Sequence, residues 1–228
     1  TICAHRCQNK CSRNFYEESV QIRDTKLIVA QHGYGALMAD IKLPEKVAGK
    51  KAAIIGGGPT GIAAAYFLGR AGIETTIFER EEKLGGVPRY VIPAFRISDE
   101  ALDKDVALME RLGVEVKCGA PAPSVDELKK MGYTHILMAT GAWQAGELGI
   151  PGNVKGVIGW MKEMKQQVKP SCIEGHVVVV GAGNTAMDAA RVAKRMGAAS
   201  STIVYRRTKK EMPADEHELK LAIDEGVK

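Results

Sequence analysis

One pattern occurs twice in this chain, and it narrows the possible folds more than any other feature. The short apolar run Lys51-Ala52-Ala53-Ile54-Ile55 enters Gly56-Gly57-Gly58-Pro59-Thr60-Gly61. An alanine-rich segment over 62–70 and a second apolar run over 75–78 follow. Displaced by 125 residues, the valines at 177–180 enter Gly181-Ala182-Gly183-Asn184-Thr185-Ala186, then a segment over 187–196 and a run over 202–205. The displacement carries Gly56 onto Gly181, Gly58 onto Gly183 and Gly61 onto Ala186. Each copy predicts strand, tight turn, helix, strand. Short Ile- and Val-rich runs suit parallel strands covered on both faces, and the small residues Ala63-Ala64-Ala65 and Ala189-Ala190 suit helices that lie close to their strands.

In such a unit the first glycine permits the sharp turn, the second lets backbone lie against a pyrophosphate, and the third position packs helix on strand. The phosphates then sit at the positive end of the helix dipole. The copies diverge where ribose is read, at the end of the second strand. The first has Glu79, 18 residues after Gly61. A carboxylate accepts hydrogen bonds from ribose hydroxyls and repels a 2′-phosphate, which suits FAD or NAD. The second ends Val204-Tyr205-Arg206-Arg207, with Arg206 20 residues after Ala186. Guanidinium groups match phosphate with paired donors, which suits NADPH, and Lys210 adds a further charge. Two nucleotides on one chain pair most economically as FAD first and NADPH second, because hydride can pass from nicotinamide to flavin. The loop Leu84-Gly85-Gly86-Val87 lies along that first cofactor, and the apolar stretch over 136–142 reads as a buried strand leaving its sheet through Thr140-Gly141.

Composition agrees with this reading and excludes others. The 228 residues are 45% hydrophobic and 26% charged, ordinary for a globular chain with an ample core. A net charge of +5 is too mild to argue for a nucleic-acid partner. The uncharged stretch over 52–68 carries Gly56-Gly57-Gly58-Pro59 in its middle, so no membrane span is expected. The first residue is Thr, not Met, and the chain is expected to be part of something longer. Five cysteines, with no leader of charged start, apolar core and cleavage site, argue for a reducing cytoplasm over a disulfide framework.

Together these residues resemble the FAD- and NADPH-binding region of the glutamate synthase small subunit, shared with the amino-terminal part of dihydropyrimidine dehydrogenase. The resemblance rests on 56–61, Ile92-Pro93-Ala94-Phe95-Arg96, 139–142, 181–188 and Tyr205-Arg206-Arg207 with Met212-Pro213. The segment Cys11-Ser12-Arg13-Asn14-Phe15-Tyr16-Glu17-Glu18 is similar to a branch named for selenate reductase. The resemblance implies an FAD site lined by Glu79, Arg80, Gly86, Val87 and Arg96, and an NADPH site lined by Asn184, Thr185, Arg206, Arg207 and Lys210. It also implies electron transfer from NADPH through FAD to iron–sulfur clusters and a distant acceptor. Cys3, Cys7 and Cys11 resemble the last ligand group of that family's iron–sulfur region, so a [4Fe–4S] cluster is expected in the intact parent, with a fourth ligand still to find. A Cys3His zinc site using His5 is the alternative. In the family the chain returns to complete the FAD domain, so both nucleotide domains are expected to need the remaining chain or partner redox subunits.

The expected architecture is therefore α/β: a Cys-bearing helical segment over 1–45, an incomplete FAD-type unit over 46–152 and an incomplete NADPH-type unit over 153–228, both three-layered and Rossmann-like. The expected function is an NADPH-dependent FAD oxidoreductase. The alternative is a non-catalytic nucleotide-binding scaffold or sensing fragment of a larger complex. Cys118 and Cys172 are isolated and expected to be core thiols, and no acid–base residue is assigned. Asp215-Glu216-His217-Glu218 is read as a helix start, not a metal cluster.

Overall fold

The computed structural model describes all residues except Thr1, Ala4, Ala145, Glu147 and 168–172; Cys172 thus lies outside the described residues. The chain divides into two compact units, Thr1–Arg89 with Arg96–Gly141, and Tyr90–Phe95 with Ala142–Lys228. The division differs from the expected one in three ways. The amino-terminal segment belongs to unit 1, the crossing lies at Gly141/Ala142, and six residues from within the first half, 90–95, belong to unit 2.

Unit 1 opens with α1 (Arg6–Asn9) and a 3₁₀ turn at Ser12–Phe15. Then comes α2 (Ile22–Asp40), none of whose residues is buried; Tyr34 Oη donates to the Lys104 carbonyl at 3.2 Å. The nucleotide-type fold follows as β1 (Lys51–Ile55), α3 (Pro59–Arg70), β2 (Glu74–Phe78), α4 (Gly86–Tyr90, crossing into unit 2), α5 (Asp99–Glu110), β3 (Glu115–Lys117), α6 (Val125–Lys130) and β4 (His135–Met138). The four strands pair in the order β3-β2-β1-β4, all parallel.

Alternation along β1 sorts the core onto two faces. Ile54 and Ile77 face Ala65 of α3 and Met109 of α5, whereas Ala53 and Phe78 face Leu128 of α6 and Tyr133. Helices therefore cover both faces, giving the expected three layers. Complete burial of Ile54 and Ile77 contributes about 1.5–3 kcal/mol each. Ser124 caps α6 through a reciprocal box with Glu127, which fixes the start of the covering helix.

Unit 2 contains α7 (Val157–Gln166), β5 (His176–Val180), α8 (Asn184–Arg195), β6 (Ser200–Val204), a 3₁₀ turn at Lys209–Glu211 and α9 (Glu216–Asp224). Strands β5 and β6 pair in parallel from His176↔Ser200 to Val180↔Val204. Met187 and Ala190 of α8 pack with Ala222 of α9 against Val179 and Ile203. Val178, Val180 and Val204 point the other way and stay exposed, so the described helices cover one face of this pair. Asp215 accepts from the His217 N–H as the cap of α9, which is the helix-start role read from the sequence.

Among the described residues, no helix is long and apolar enough to cross a membrane.

Candidate functional site

In unit 1 the site forms where β1 ends. Gly56 turns the chain at φ +107°, and its N–H donates to the Phe78 carbonyl at 2.8 Å. A Cβ there would collide with the Ala139 carbonyl and stand 3.2 Å from the Thr140 nitrogen. The expected neighbours Thr140 and Gly141 are thus brought beside the loop, both exposed. The stretch that carries them is not a buried strand, however. It is β4, at the sheet edge, with Leu137 and Met138 exposed. Edge position, a tertiary property, overrides the apolar pattern.

Gly58 caps α3, with Pro59 opening the helix and Pro59 and Thr60 both exposed. A Cβ on Gly61 would collide with the Gly56 carbonyl, so this glycine seats helix on loop. Gly58 differs: at φ −76° its Cβ would meet nothing nearer than Gly86 Cα at 3.8 Å. Protein sterics therefore do not require a glycine there.

Glu79 stands at the end of β2, only 7% exposed. Its Oε2 accepts from the Gly57 N–H at 2.6 Å and its Oε1 from the Glu81 N–H at 2.9 Å. These two N–H groups hold the carboxylate at the loop. Arg80 is exposed and lies 3.8 Å from Glu81. Gly86 is buried against Gly58, Val87 is half-buried, and Arg96 is half-buried where the chain returns from 90–95.

Sequence reasoning missed Arg89, a buried cation bound to Leu84, Asp99 and Asp103. Asp99 and Asp103, four apart at a helix start capped by Ser98, were the available signal. Cys118 packs at the edge of this core, where burial first, then the charges of Glu79 and Glu110, pushes its thiol pKa up. Its half-buried place at the core's edge agrees with the expected core thiol.

The unit 2 loop repeats this geometry. Gly181 has φ +128° and donates to the Val204 carbonyl at 2.9 Å, the counterpart of Gly56 and Phe78. Gly183 caps α8 at φ −87°, and a Cβ there would meet nothing within 4 Å among the described residues, leaving the same kind of open cradle as Gly58. Ala186 is buried in the place of the third glycine and Thr185 is exposed. Asn184 is half-buried, and its Oδ1 accepts from the Asp215 N–H at 2.9 Å. With Ala214 N–H on the Ala182 carbonyl at 3.0 Å, it ties the segment before α9 to the loop.

Arg206, Arg207, Lys209 and Lys210 are all exposed beyond β6, and among the described residues none has a side-chain hydrogen bond or ion pair. Thr208 and Glu211 cap the intervening turn, which holds the four cations on a defined loop.

The cysteine segment lies at the start of unit 1. Cys3 and Cys7 are exposed and Cys11 half-buried, and among the described residues no three His, Cys, Asp or Glu side chains are placed to hold a metal ion. The four-residue spacing would align on one helix, but the chain breaks at His5 (φ 34°), and Cys7 and Cys11 fall in and after a single short turn. The N–H groups of Val20 and Arg13 hold the Cys11 thiol below its ordinary pKa.

Residues 50–228 match the family described as pyridine nucleotide-disulphide oxidoreductase. The chain belongs to this family. Its relatives include the oxidoreductase YgfK of Escherichia coli strain K12, 38% identical over 99% of this chain and 22% of that protein. The NADPH-Fe(3+) oxidoreductase subunit beta of Geobacter sulfurreducens is 35% identical over all of this chain and 35% of its own length. The glutamate synthase [NADPH] small chain of Azospirillum brasilense is 32% identical over 82% of this chain and 42% of that one. The resemblance read from the motifs therefore holds, and the chain spans well under half of these relatives. Lactococcus lactis thioredoxin reductase, 24% identical, superposes with a TM-score of 0.58 over 78% of this chain and 63% of its own, a likeness of fold. Membership in this oxidoreductase family, with NADPH-named relatives, implies FAD and NADPH as cofactors, and the open cradles at Gly58 and Gly183 fit two dinucleotides.

Proposed function

We propose that this chain is the reductase module of an NADPH-dependent flavoprotein oxidoreductase, with FAD on unit 1 and NADPH on unit 2. The observation that carries the assignment is how the two strand ends differ: the place of Glu79, next to the residue that receives the loop glycine's N–H, is taken by Tyr205 in unit 2, and two cations follow it. Buried Glu79 follows β2, whereas the exposed cations Arg206 and Arg207 follow β6. When bound, the nicotinamide supplies a hydride and the flavin accepts it. The chain binds and orients. Gly58 and Gly183 admit pyrophosphate, the amino ends of α3 and α8 present backbone N–H groups to it, and the Gly57 N–H aims Glu79 at ribose. Arg206 and Arg207 offer paired donors to a 2′-phosphate. Onward delivery to an iron–sulfur centre, contributed with partner redox subunits or further chain, completes the reading. The name of the Geobacter relative, a subunit of an NADPH-Fe(3+) oxidoreductase, supports it.

An anaerobic visible spectrum before and after one equivalent of NADPH tests the assignment. Flavin bands should bleach with NADPH and only slowly with NADH. In the double variant Arg206→Glu, Arg207→Glu, preference should shift toward NADH by roughly 10- to 100-fold, as expected for losing charge-assisted hydrogen bonds of about 1.5–3 kcal/mol. Unchanged NADPH affinity in that variant removes the unit 2 assignment. Flavin that binds but stays oxidised with NADPH favours the scaffold reading instead.

A further inference from the structure

Resting on the reading of unit 1 as the flavin unit, we propose that Arg89 is a positioning residue for the flavin-side pyrophosphate, acting through the Leu84–Gly86 turn. The Arg89 side chain is only 4% exposed. Its Nε donates to the Leu84 carbonyl, and its Nη2 to Asp103 Oδ1 at 2.5 Å, with Asp99 Oδ1 3.6 Å from Nη1. Both aspartates belong to α5, across the excursion 90–95 from Arg89. The guanidinium therefore ties the turn on one side to a helix of the unit 1 core on the other.

The two glycines of the turn are specified by what presses on each. A Cβ on Gly85 would meet Arg89 Cβ at 2.7 Å and its Nε at 3.0 Å, so Gly85 is small because the arginine crosses over it. A Cβ on Gly86 would meet Gly58 Cα at 2.8 Å, so Gly86 is small because it lies on the phosphate cradle. The Gly85 N–H closes the arrangement by donating to the Gly57 carbonyl at 2.8 Å. Pulled by Arg89 toward α5, the turn forms one wall of the cradle at Gly58. Released, it keeps that backbone bond and the packing of Leu84 in the core, but loses the tie to α5. Arg89 touches no reacting atom in this scheme; it sets the wall against which the pyrophosphate rests.

The test measures the FAD dissociation constant by quenching of flavin fluorescence, and the melting temperature of the FAD-free chain, for the parent, Arg89→Gln, Arg89→Lys, Asp103→Asn and the Arg89→Gln/Asp103→Asn pair. The expected result is FAD binding at least fivefold weaker in Arg89→Gln and in Asp103→Asn. The pair should be no weaker than Arg89→Gln alone, because both act through one contact. Arg89→Lys should recover part of the loss, since it keeps the charge but not the fork. If Arg89→Gln does not fold, Asp103→Asn decides, its carboxylate being 59% exposed. Melting temperatures that fall while FAD affinity stays at the parent value overturn the proposal and leave a structural ion pair. A parent chain that binds no FAD removes the flavin assignment itself and this inference with it, and that failure is recognisable because it precedes any substitution.

Discussion

Gly58 and Gly61 are three residues apart in one loop, yet different neighbours explain each. Gly61 has the Gly56 carbonyl where its Cβ would stand, and that atom is backbone. Gly61→Ala must push helix from loop, an overpacking cost of about 1–3 kcal/mol. Gly58 has ordinary backbone angles, and its Cβ would make only an ordinary contact with Gly86 Cα at 3.8 Å. Gly58→Ala should therefore leave stability within about 1 kcal/mol, the scale of exchanging a helix cap or restricting the unfolded chain. Its FAD affinity should nevertheless fall at least tenfold, as the methyl occupies the place of a phosphate oxygen. Urea melts paired with flavin titration separate the two variants. Equal loss of stability in both would mean that Gly58 serves packing, and the cradle reading would fail.

At the scale of elements, α8 and α9 of unit 2 are joined by charge as well as by their apolar faces. Glu225, just past α9, accepts from Arg195 at 2.7 and 3.1 Å and from Arg191 at 2.7 and 3.0 Å. The hydrogen bonds from Arg195, then those from Arg191, outweigh burial and lower its pKa from 4.5 to about 2. A carboxylate depressed on folding stabilises fully above its unfolded value, and that contribution fades as pH falls from about 4.5 toward 2. Glu225→Gln should cost roughly 1–3 kcal/mol at pH 7, and urea melts should show the difference from the parent shrinking steadily at acid pH. A cost independent of pH would assign the effect to packing.

These same elements mark what the sequence made legible. The strand–loop–helix units and the bounds of α9 were readable because their determinants are local: glycine spacing, small residues on the helix, a capping Asp215. The exposure of β4 was not, because being an edge is decided by which strands pair. Nor was the engagement of Asn184, whose partner Asp215 lies 31 residues on. The path of the cysteine segment was not legible either, since a four-residue spacing fits both a helix and a turn-rich loop, and the chain turns at His5.

Across the whole chain, two units repeat one loop geometry but differ in charge and in cover. Unit 1 has a four-stranded sheet covered on both faces, and unit 2 a two-stranded pair with Val178, Val180 and Val204 exposed. Each loop is bonded within its own unit: Gly56 to Phe78 and Gly57 to Glu79, Gly181 to Val204 and Asn184 to Asp215. Ligands that engage one loop should therefore protect one unit. In hydrogen exchange, FAD should slow amides of β1, the 56–61 loop and the 84–86 turn. Adenosine 2′,5′-bisphosphate, which carries the 2′-phosphate without the nicotinamide, should slow those of β5, 181–186 and 205–210. A bound species adds stability in proportion to the logarithm of its saturation, so protection should grow with ligand concentration inside the unit it occupies. The bisphosphate effect should vanish in Arg206→Glu, Arg207→Glu while the FAD effect persists. Protection of both units by either ligand would show the loops to be energetically coupled, and the assignment of one dinucleotide to each would then need direct competition between FAD and NADPH to sustain it.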